Sequence, residues 1–110
     1  MTAPYFEIHE HQEGARVRLQ LTGELDVASA PALENRLEQL RAEKRLVRLD
    51  LSRLEFMDGS GIRLLISAFN RGRADGWEFE VAPGVSPQVE RLLKVANLER
   101  FTWAATWITT

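Results

Sequence analysis

One short segment of the sequence gathers side chains that could do chemistry: it reads Asp58-Gly59-Ser60-Gly61. A helical pattern follows at once, with apolar residues spaced i, i+3, i+4 and i+7, namely Ile62, Leu65, Ile66 and Phe69. Asp58 occupies the position of a helix N-cap, where a carboxylate accepts unpaired backbone N–H groups of the first turn. Because glycine costs about 1 kcal/mol relative to alanine inside a helix, Gly59 and Gly61 indicate a sharp turn or a close approach to the backbone. The Ser60 hydroxyl is therefore either a presented reactive group or part of an ordinary capped helix start.

A second segment with acidic side chains follows an earlier strand. Residues 22–26 leave a predicted strand at 15–21 and carry Glu24 and Asp26. In parallel α/β sheets, ligands and partners meet the loops that follow the carboxyl ends of the strands. If the strand at 15–21 and the strand before Asp58 are parallel neighbours, both acidic segments and Ser60 lie on one surface.

The sequence gives little indication of a metal site or of a catalytic site. His9 and His11 lie beside a predicted turn at 12–14, but no third ligand has suitable spacing, so we predict no metal site. Catalysis by Ser60 would need a base within hydrogen-bond reach, and Asp58 is the only local candidate. The glycines around Ser60 lack the lysine and the longer spacing of a P-loop. The sequence therefore predicts neither an enzyme nor a cofactor.

The remaining pattern predicts an α/β scaffold for these segments. The predicted strands cover residues 5–9, 15–21, 45–51, 77–82 and, as a candidate, 101–103. The predicted helices cover residues 28–44, then a segment that follows Ser60 and ends near 72–76, and a third from Ser86-Pro87 to Asn97. The order β-β-α-β-α-β-α-β predicts a mixed, mostly parallel sheet of four to five strands with helices packed on it. The strand at 45–51 is apolar enough on both faces to lie inside the sheet.

Composition limits the class of protein. The chain has 110 residues, of which 45% are hydrophobic and 27% charged, which fits one globular domain. A formal net charge of −2 gives no general affinity for nucleic acid. There is no cysteine, no apolar run as long as the roughly 18 residues of a membrane span, and no signal-peptide pattern at the N-terminus. We expect a cytoplasmic domain without a membrane segment.

Several motifs in order resemble the anti-sigma factor antagonists, the small bacterial members of the STAS family. The resemblance rests on residues 21–26, 49–52, 56–58 and 60–62, and on the late helix that begins at Ser86-Pro87 and ends in 95–98. Each motif is weak alone, but together they keep the spacing of the family. The resemblance implies a single STAS domain over residues 1–110, with a STAS-like α/β sandwich.

The resemblance also implies a role in transcription regulation through partner switching in stress response. An unphosphorylated antagonist of this family binds an anti-sigma factor, itself a serine kinase of the histidine-kinase-like ATPase fold, and frees a sigma factor. The kinase then phosphorylates a serine at the start of the second helix, and a PP2C-type phosphatase resets the switch. Carried onto this sequence, Ser60 is the phosphoacceptor, and the implied partner-binding residues are Glu24, Asp26, Asp58, Gly59, Ser60 and Gly61.

One departure from the family pattern leaves alternatives open. The family commonly reads Asp-Ser-Ser/Thr-Gly and uses the first hydroxyl, but Gly59 occupies that position and Ser60 matches the second hydroxyl. Either Ser60 accepts the phosphate, or the chain binds its partner without being switched, or it has another role. STAS domains also serve as unphosphorylated binding subunits of lipid-transport ATPase complexes, which is the alternative function.

The last ten residues, 101–110, are apolar for a chain end and include Trp103 and Trp107. These side chains either pack on the sheet or contact a partner or a second copy, since apolar patches on small domains often mark interfaces. Packing on the sheet is the favoured interpretation, and a homodimer is a candidate assembly.

Overall fold

The computed structural model describes residues 5–95. Its elements are β1 (Phe6–Glu13), β2 (Arg16–Leu25), α1 (Ala30–Ala42), β3 (Leu46–Met57), α2 (Gly59–Asp75), β4 (Phe79–Val81) and α3 (Pro87–Val95). This order agrees with the sequence prediction as far as α3. The predicted helix end at Asn97, the candidate strand at 101–103 and the apolar tail with its candidate homodimer contact lie outside the described residues. Between residues 5 and 95, no helix is both long and apolar enough to cross a membrane.

The four strands form one sheet in the order β1-β2-β3-β4. β1 pairs antiparallel with β2, while β2 with β3 and β3 with β4 are parallel pairs. The mixed, mostly parallel sheet and the interior position of β3 are therefore confirmed. The expectation that β3 is apolar on both faces is wrong: Val47 and Leu49 are buried, but Arg48 and Asp50 lie half-buried on the opposite face.

Both strands that lead into the acidic segments are longer than predicted. Residues 22–25 continue β2 and residues 52–57 continue β3, with the last pair formed between Leu25 and Met57. The prediction that residues 22–26 leave the strand is thus wrong for all but Asp26. The extension depends on pairing between the two strands, and it includes register shifts on either side of Thr22 and Gly23. A local hydrophobic pattern does not report such irregular pairing.

One hydrophobic core joins the sheet to the helices. On β2 the predicted alternation is confirmed, because Val17, Leu19 and Leu21 are fully buried. The helices bury matching stripes against this face, with Leu33, Leu37 and Leu40 from α1 and Val89 and Leu93 from α3. The core therefore lies between the sheet and its three helices, which all follow strands and return across one face.

The buried face of α2 is rotated from the predicted one. Leu65 and Phe69 are buried as expected, but Ile66 is 37% exposed. The buried stripe comprises Gly61, Leu64, Leu65, Ala68, Phe69 and Gly72. A stripe that starts and ends with glycine brings the helix axis close to its neighbours, because no Cβ stands between them. The sequence pattern alone could not distinguish this stripe from one that includes Ile66.

Ion pairs connect α1 to the elements on either side of it. The Arg36 guanidinium donates to both carboxylate oxygens of Glu10 on β1. At the other side, Glu38 of α1 accepts from Arg41 and from Arg71 of α2, and Arg41 also donates to Asp75 at the end of α2. These contacts hold both helices in register near the surface.

These carboxylates predict a loss of stability in acid. The hydrogen bond from Arg36 lowers the pKa of Glu10, and hydrogen bonds from Arg41 lower the pKa of Glu38 and of Asp75. A carboxyl whose folded pKa is lowered stabilises the fold above its unfolded pKa of about 4, and this contribution disappears as the pH falls through the folded pKa. We expect urea titrations to give a falling free energy of unfolding between about pH 5 and pH 2. Over this pH range the free energy of unfolding of the Arg36→Gln variant should fall less than that of the wild type. A wild-type free energy of unfolding that does not change with pH would contradict the prediction.

Candidate functional site

The two acidic segments meet at one edge of the sheet. β2 and β3 run parallel and end at the pair Leu25 and Met57. The backbone N–H of Asp58 donates to the carbonyl oxygen of Leu25 at 3.2 Å, which fixes the two chain segments against each other. Asp26 and Asp58 therefore follow neighbouring strand ends, as the sequence predicted for parallel neighbours.

Asp26 organises the turn into α1. Its Oδ1 accepts from the backbone N–H groups of Ala28 at 3.0 Å and Ser29 at 3.1 Å. In return, the Asp26 N–H donates to Ser29 Oγ at 2.9 Å, and that hydroxyl donates to the carbonyl of Glu24 at 2.8 Å. Because this network shapes the turn, Val27 is left 73% exposed beside it. Asp26 has a clear structural role at the edge of the candidate site.

Asp58 begins α2 in the predicted way. It has extended backbone dihedrals, and its Oδ1 accepts from the backbone N–H of Ser60 at 2.8 Å, which is the geometry of an N-cap. The helix proper starts at Gly59, so that Ser60 is its second residue. The Ser60 side chain is half-buried. The N-cap prediction for Asp58 is confirmed.

The two glycines that flank Ser60 differ in the space around them. A Cβ on Gly61 would lie 2.4 Å from Met57 Cγ, closer than real contacts allow, and 3.0 Å from Leu25 Cδ2, which is a tight contact. A Cβ on Gly59 would meet only Arg63 Nη1, at 3.5 Å, which is ordinary van der Waals contact. The close approach predicted from the sequence therefore holds for Gly61, while the position of Gly59 has room for a Cβ.

Ser60 opens onto a groove between the first turns of α1 and α2. The groove has a volume of about 390 Å³, and Val27, Pro31 and Glu34 line it on the side of α1. On the side of α2, Arg63 Nη2 donates to Ser60 Oγ at 3.4 Å. The groove thus combines an exposed apolar side chain, a carboxylate, a guanidinium and a half-buried hydroxyl. Such a surface suits the binding of a partner better than chemistry on a small substrate.

Glu24 stands apart from this groove. It pairs with Phe56, next to the buried pair Leu25 and Met57. Because side chains alternate along strands, Glu24 and Phe56 lie on the face of the sheet away from the core. Both are exposed, Phe56 by 38%. The six predicted partner-binding residues therefore share one edge of the sheet, but not one face.

Two exposed apolar residues at this edge were missed by the sequence analysis. Val27 and Phe56 are single hydrophobic residues in polar surroundings, and isolated exposed hydrophobics carry no periodic signal. Only their shared location near the strand ends distinguishes them.

The candidate metal ligands lie elsewhere. His9 lies 3.1 Å from Glu7, and within residues 5–95 no group of three or more His, Asp or Glu side chains is arranged to hold a metal ion.

Comparison with known proteins identifies the family. The family model described as "Mlab, STAS domain" matches residues 8–106 of this chain. The chain belongs to the STAS domain family. This STAS chain is 30% identical over 91 residues to the anti-sigma F factor antagonist of Paenibacillus polymyxa, an alignment that covers 81% of the chain and 76% of that relative.

Solved structures share the STAS fold described above. An anti-sigma factor antagonist from Mycobacterium paratuberculosis matches with a TM-score of 0.79 and 23% identity, covering 93% of this chain and 87% of that one. The Bacillus cell fate determinant SpoIIAA in its phosphorylated form matches with a TM-score of 0.69 and 18% identity, covering 87% and 88% of the two chains. At these identities the likeness supports the fold, and the predicted STAS-like α/β sandwich is confirmed.

Proposed function

We propose that this STAS protein is an anti-sigma factor antagonist, a regulatory binding protein that captures an anti-sigma factor and thereby frees a sigma factor. The relative from Paenibacillus polymyxa carries that name at 30% identity. The observation that carries the proposal is the edge of the sheet where Ser60, capped through Asp58, opens onto the groove between α1 and α2. In this role the STAS domain works in the cytoplasm, where transcription takes place.

The proposed binding surface combines polar and apolar contacts. Val27 and Phe56 offer exposed apolar area at its two sides, and Glu24 adds a carboxylate next to Phe56. Ser60 lines the groove, and Gly59 exposes backbone that a partner can approach. Asp26, Asp58 and Gly61 contribute by holding the two strand ends and the first turn of α2 in place. Apolar anchors surrounded by polar groups are typical of protein interfaces.

We further propose that phosphorylation of Ser60 switches this binding off. The anti-sigma factor, as a serine kinase of the histidine-kinase-like ATPase fold, would supply ATP. Ser60 Oγ then forms a bond to the γ-phosphorus, the bond to the β-phosphate oxygen breaks, ADP leaves, and the hydroxyl proton passes to the kinase or solvent. The phosphate adds a charge of about −1.5 to −2. A PP2C-type phosphatase would hydrolyse the phosphoester and restore the hydroxyl.

The physical basis of the switch is the cost of placing this charge in an interface. A partner surface that fits a neutral, half-buried hydroxyl offers no compensating cation. Taking a dianion out of water costs several kcal/mol, and a single cation of the same chain repays only part of this cost. Asp58 already places a negative charge at the same turn, so the phosphate adds to an acidic site.

The space at Gly59 favours a second candidate, a STAS subunit that binds its partner constitutively. Gly59 occupies the position of the usual acceptor hydroxyl, although a Cβ would fit there. Glycine therefore leaves this turn without a hydroxyl at the usual acceptor position. The partner in this alternative would be the nucleotide-binding subunit of a lipid-transport ATPase.

The test begins with the protein from its native cells. Intact-mass analysis before and after phosphatase treatment, followed by peptide mapping, is expected to show one phosphate on Ser60. A tagged chain should recover a small serine kinase of the histidine-kinase-like fold. Recovery of a transport ATPase, with an unmodified chain under every growth condition, would favour the constitutive subunit and refute the switch.

A substitution pair measures the effect of charge on binding. We expect Ser60→Asp to weaken binding of the recovered partner by about 100-fold, because like charge or unpaired charge in an interface costs several kcal/mol. Ser60→Ala should bind like the wild type, and Ser52→Asp, which adds the same charge at an exposed position of β3, serves as the control. Isothermal titration calorimetry gives the affinities. Equal affinity of Ser60→Asp and wild type would contradict the proposed surface.

A further inference from the structure

Arg63 belongs to α2, and its side chain lies beside the first residues of this helix. Its Nη2 donates to Ser60 Oγ at 3.4 Å, and its Nη1 lies 3.5 Å from the place where a Cβ on residue 59 would be. Residues three apart on a helix are neighbours on its surface. The guanidinium therefore lies beside the Ser60 hydroxyl and beside position 59.

A phosphate on Ser60 would meet several negative charges. The Asp58 carboxylate caps the backbone N–H of Ser60 itself at 2.8 Å. Glu34 lines the same groove from α1. Without a nearby cation, a dianion at this place would be repelled by the Asp58 carboxylate and, across the groove, by Glu34. Arg63 is the cation in contact with Ser60.

The chemistry of the guanidinium fits this task. Arginine presents planar pairs of N–H groups that bind two phosphate oxygens at once, and these charge-assisted hydrogen bonds are stronger than neutral ones. Arg63 is exposed, so a small side-chain rotation suffices to move its Nη groups from the hydroxyl to the phosphate oxygens. The contact already present with Ser60 Oγ orients the side chain for this exchange.

We propose that Arg63 is a positioning residue that binds the phosphate of phosphorylated Ser60 within the same chain. This inference rests on the proposed phosphorylation of Ser60 and specifies how the modified form is held. The phosphate dianion is then hydrogen-bonded to the Arg63 guanidinium at the surface of α2.

The test uses the full chain with phosphoserine incorporated at position 60 during translation, so that no kinase is required. A ³¹P NMR titration measures the second pKa of the phosphate, which is about 6 for free phosphoserine side chains. We expect this pKa to be lower by about half a unit or more in the wild type than in Arg63→Gln, because a bound cation favours the dianion. Arg63→Lys should give an intermediate value. Arg73→Gln, an exposed arginine of α2 far from Ser60, should match the wild type.

Equal phosphate pKa values in the wild type and in Arg63→Gln would overturn the inference. Circular dichroism and thermal melts of the unmodified variants check that each is folded, and an exposed substitution of this kind should leave the melting temperature almost unchanged. The outcome is independent of the cellular result. A chain that is never phosphorylated in cells refutes the proposed switch, whereas equal pKa values refute only the role of Arg63.

Discussion

Replacing Gly23 with alanine is expected to lower the free energy of unfolding by about 3 kcal/mol, a large part of the stability of a small domain. Gly23 has a φ of +94°, which L residues rarely adopt. In addition, a Cβ would lie 2.0 Å from the carbonyl oxygen of Tyr5, the atom that accepts the hydrogen bond from Glu24 N–H. Relief requires Tyr5, which directly precedes β1, to move away from β2. Urea denaturation followed by circular dichroism measures the loss.

Gly84 provides a matched control for this substitution. Its φ of +92° is nearly the same, but a Cβ there would have no neighbour within 4 Å. Gly84→Ala therefore reports backbone strain alone, and we expect it to cost about 1 kcal/mol. The difference between the two variants isolates the collision with the Tyr5 carbonyl. Equal losses would show that the chain at Tyr5 adjusts freely, against this prediction.

Replacing Gly61 with alanine is expected to cost about 1–3 kcal/mol, because the added methyl group overpacks the contact between α2 and the strand ends. The collision involves Met57 Cγ at 2.4 Å and Met57 Sδ at 2.9 Å, and Met57 is itself 2% exposed, so its side chain has little space to retreat. The first turn of α2 must then shift outward. Since that turn carries Ser60, partner binding should weaken together with stability.

Gly59→Ala is the matched control in the same turn of the helix. Its Cβ would be accommodated 3.5 Å from Arg63 Nη1. Removing a glycine where the backbone permits alanine stabilises a fold by reducing the freedom of the unfolded chain, here by about 0.5 kcal/mol. Urea midpoints of the two variants should thus move in opposite directions from the wild type. A loss of stability in Gly59→Ala as large as that of Gly61→Ala would contradict the steric distinction between them.

The sequence alone determined the local features of the site. Asp58 was predicted as the N-cap of α2 from its place before an apolar helical pattern, and Ser86-Pro87 likewise as the start of α3. The alternation on β2 gave its buried face correctly. These features depend on residues a few positions apart, through capping hydrogen bonds and the periodic placement of side chains. Such local interactions can be predicted from the amino-acid sequence alone.

Only the tertiary structure decided how these pieces form one surface. The extension of β2 and β3 to Leu25 and Met57 depends on backbone pairing between segments about 30 residues apart. The same packing turns α2 so that Gly61 is buried and Ile66 is exposed. Contacts between distant residues also determine which glycine has no room for a Cβ and which side chains surround Ser60. A sequence pattern cannot predict these contacts, because it fixes the period of a helix but not its rotation against the sheet.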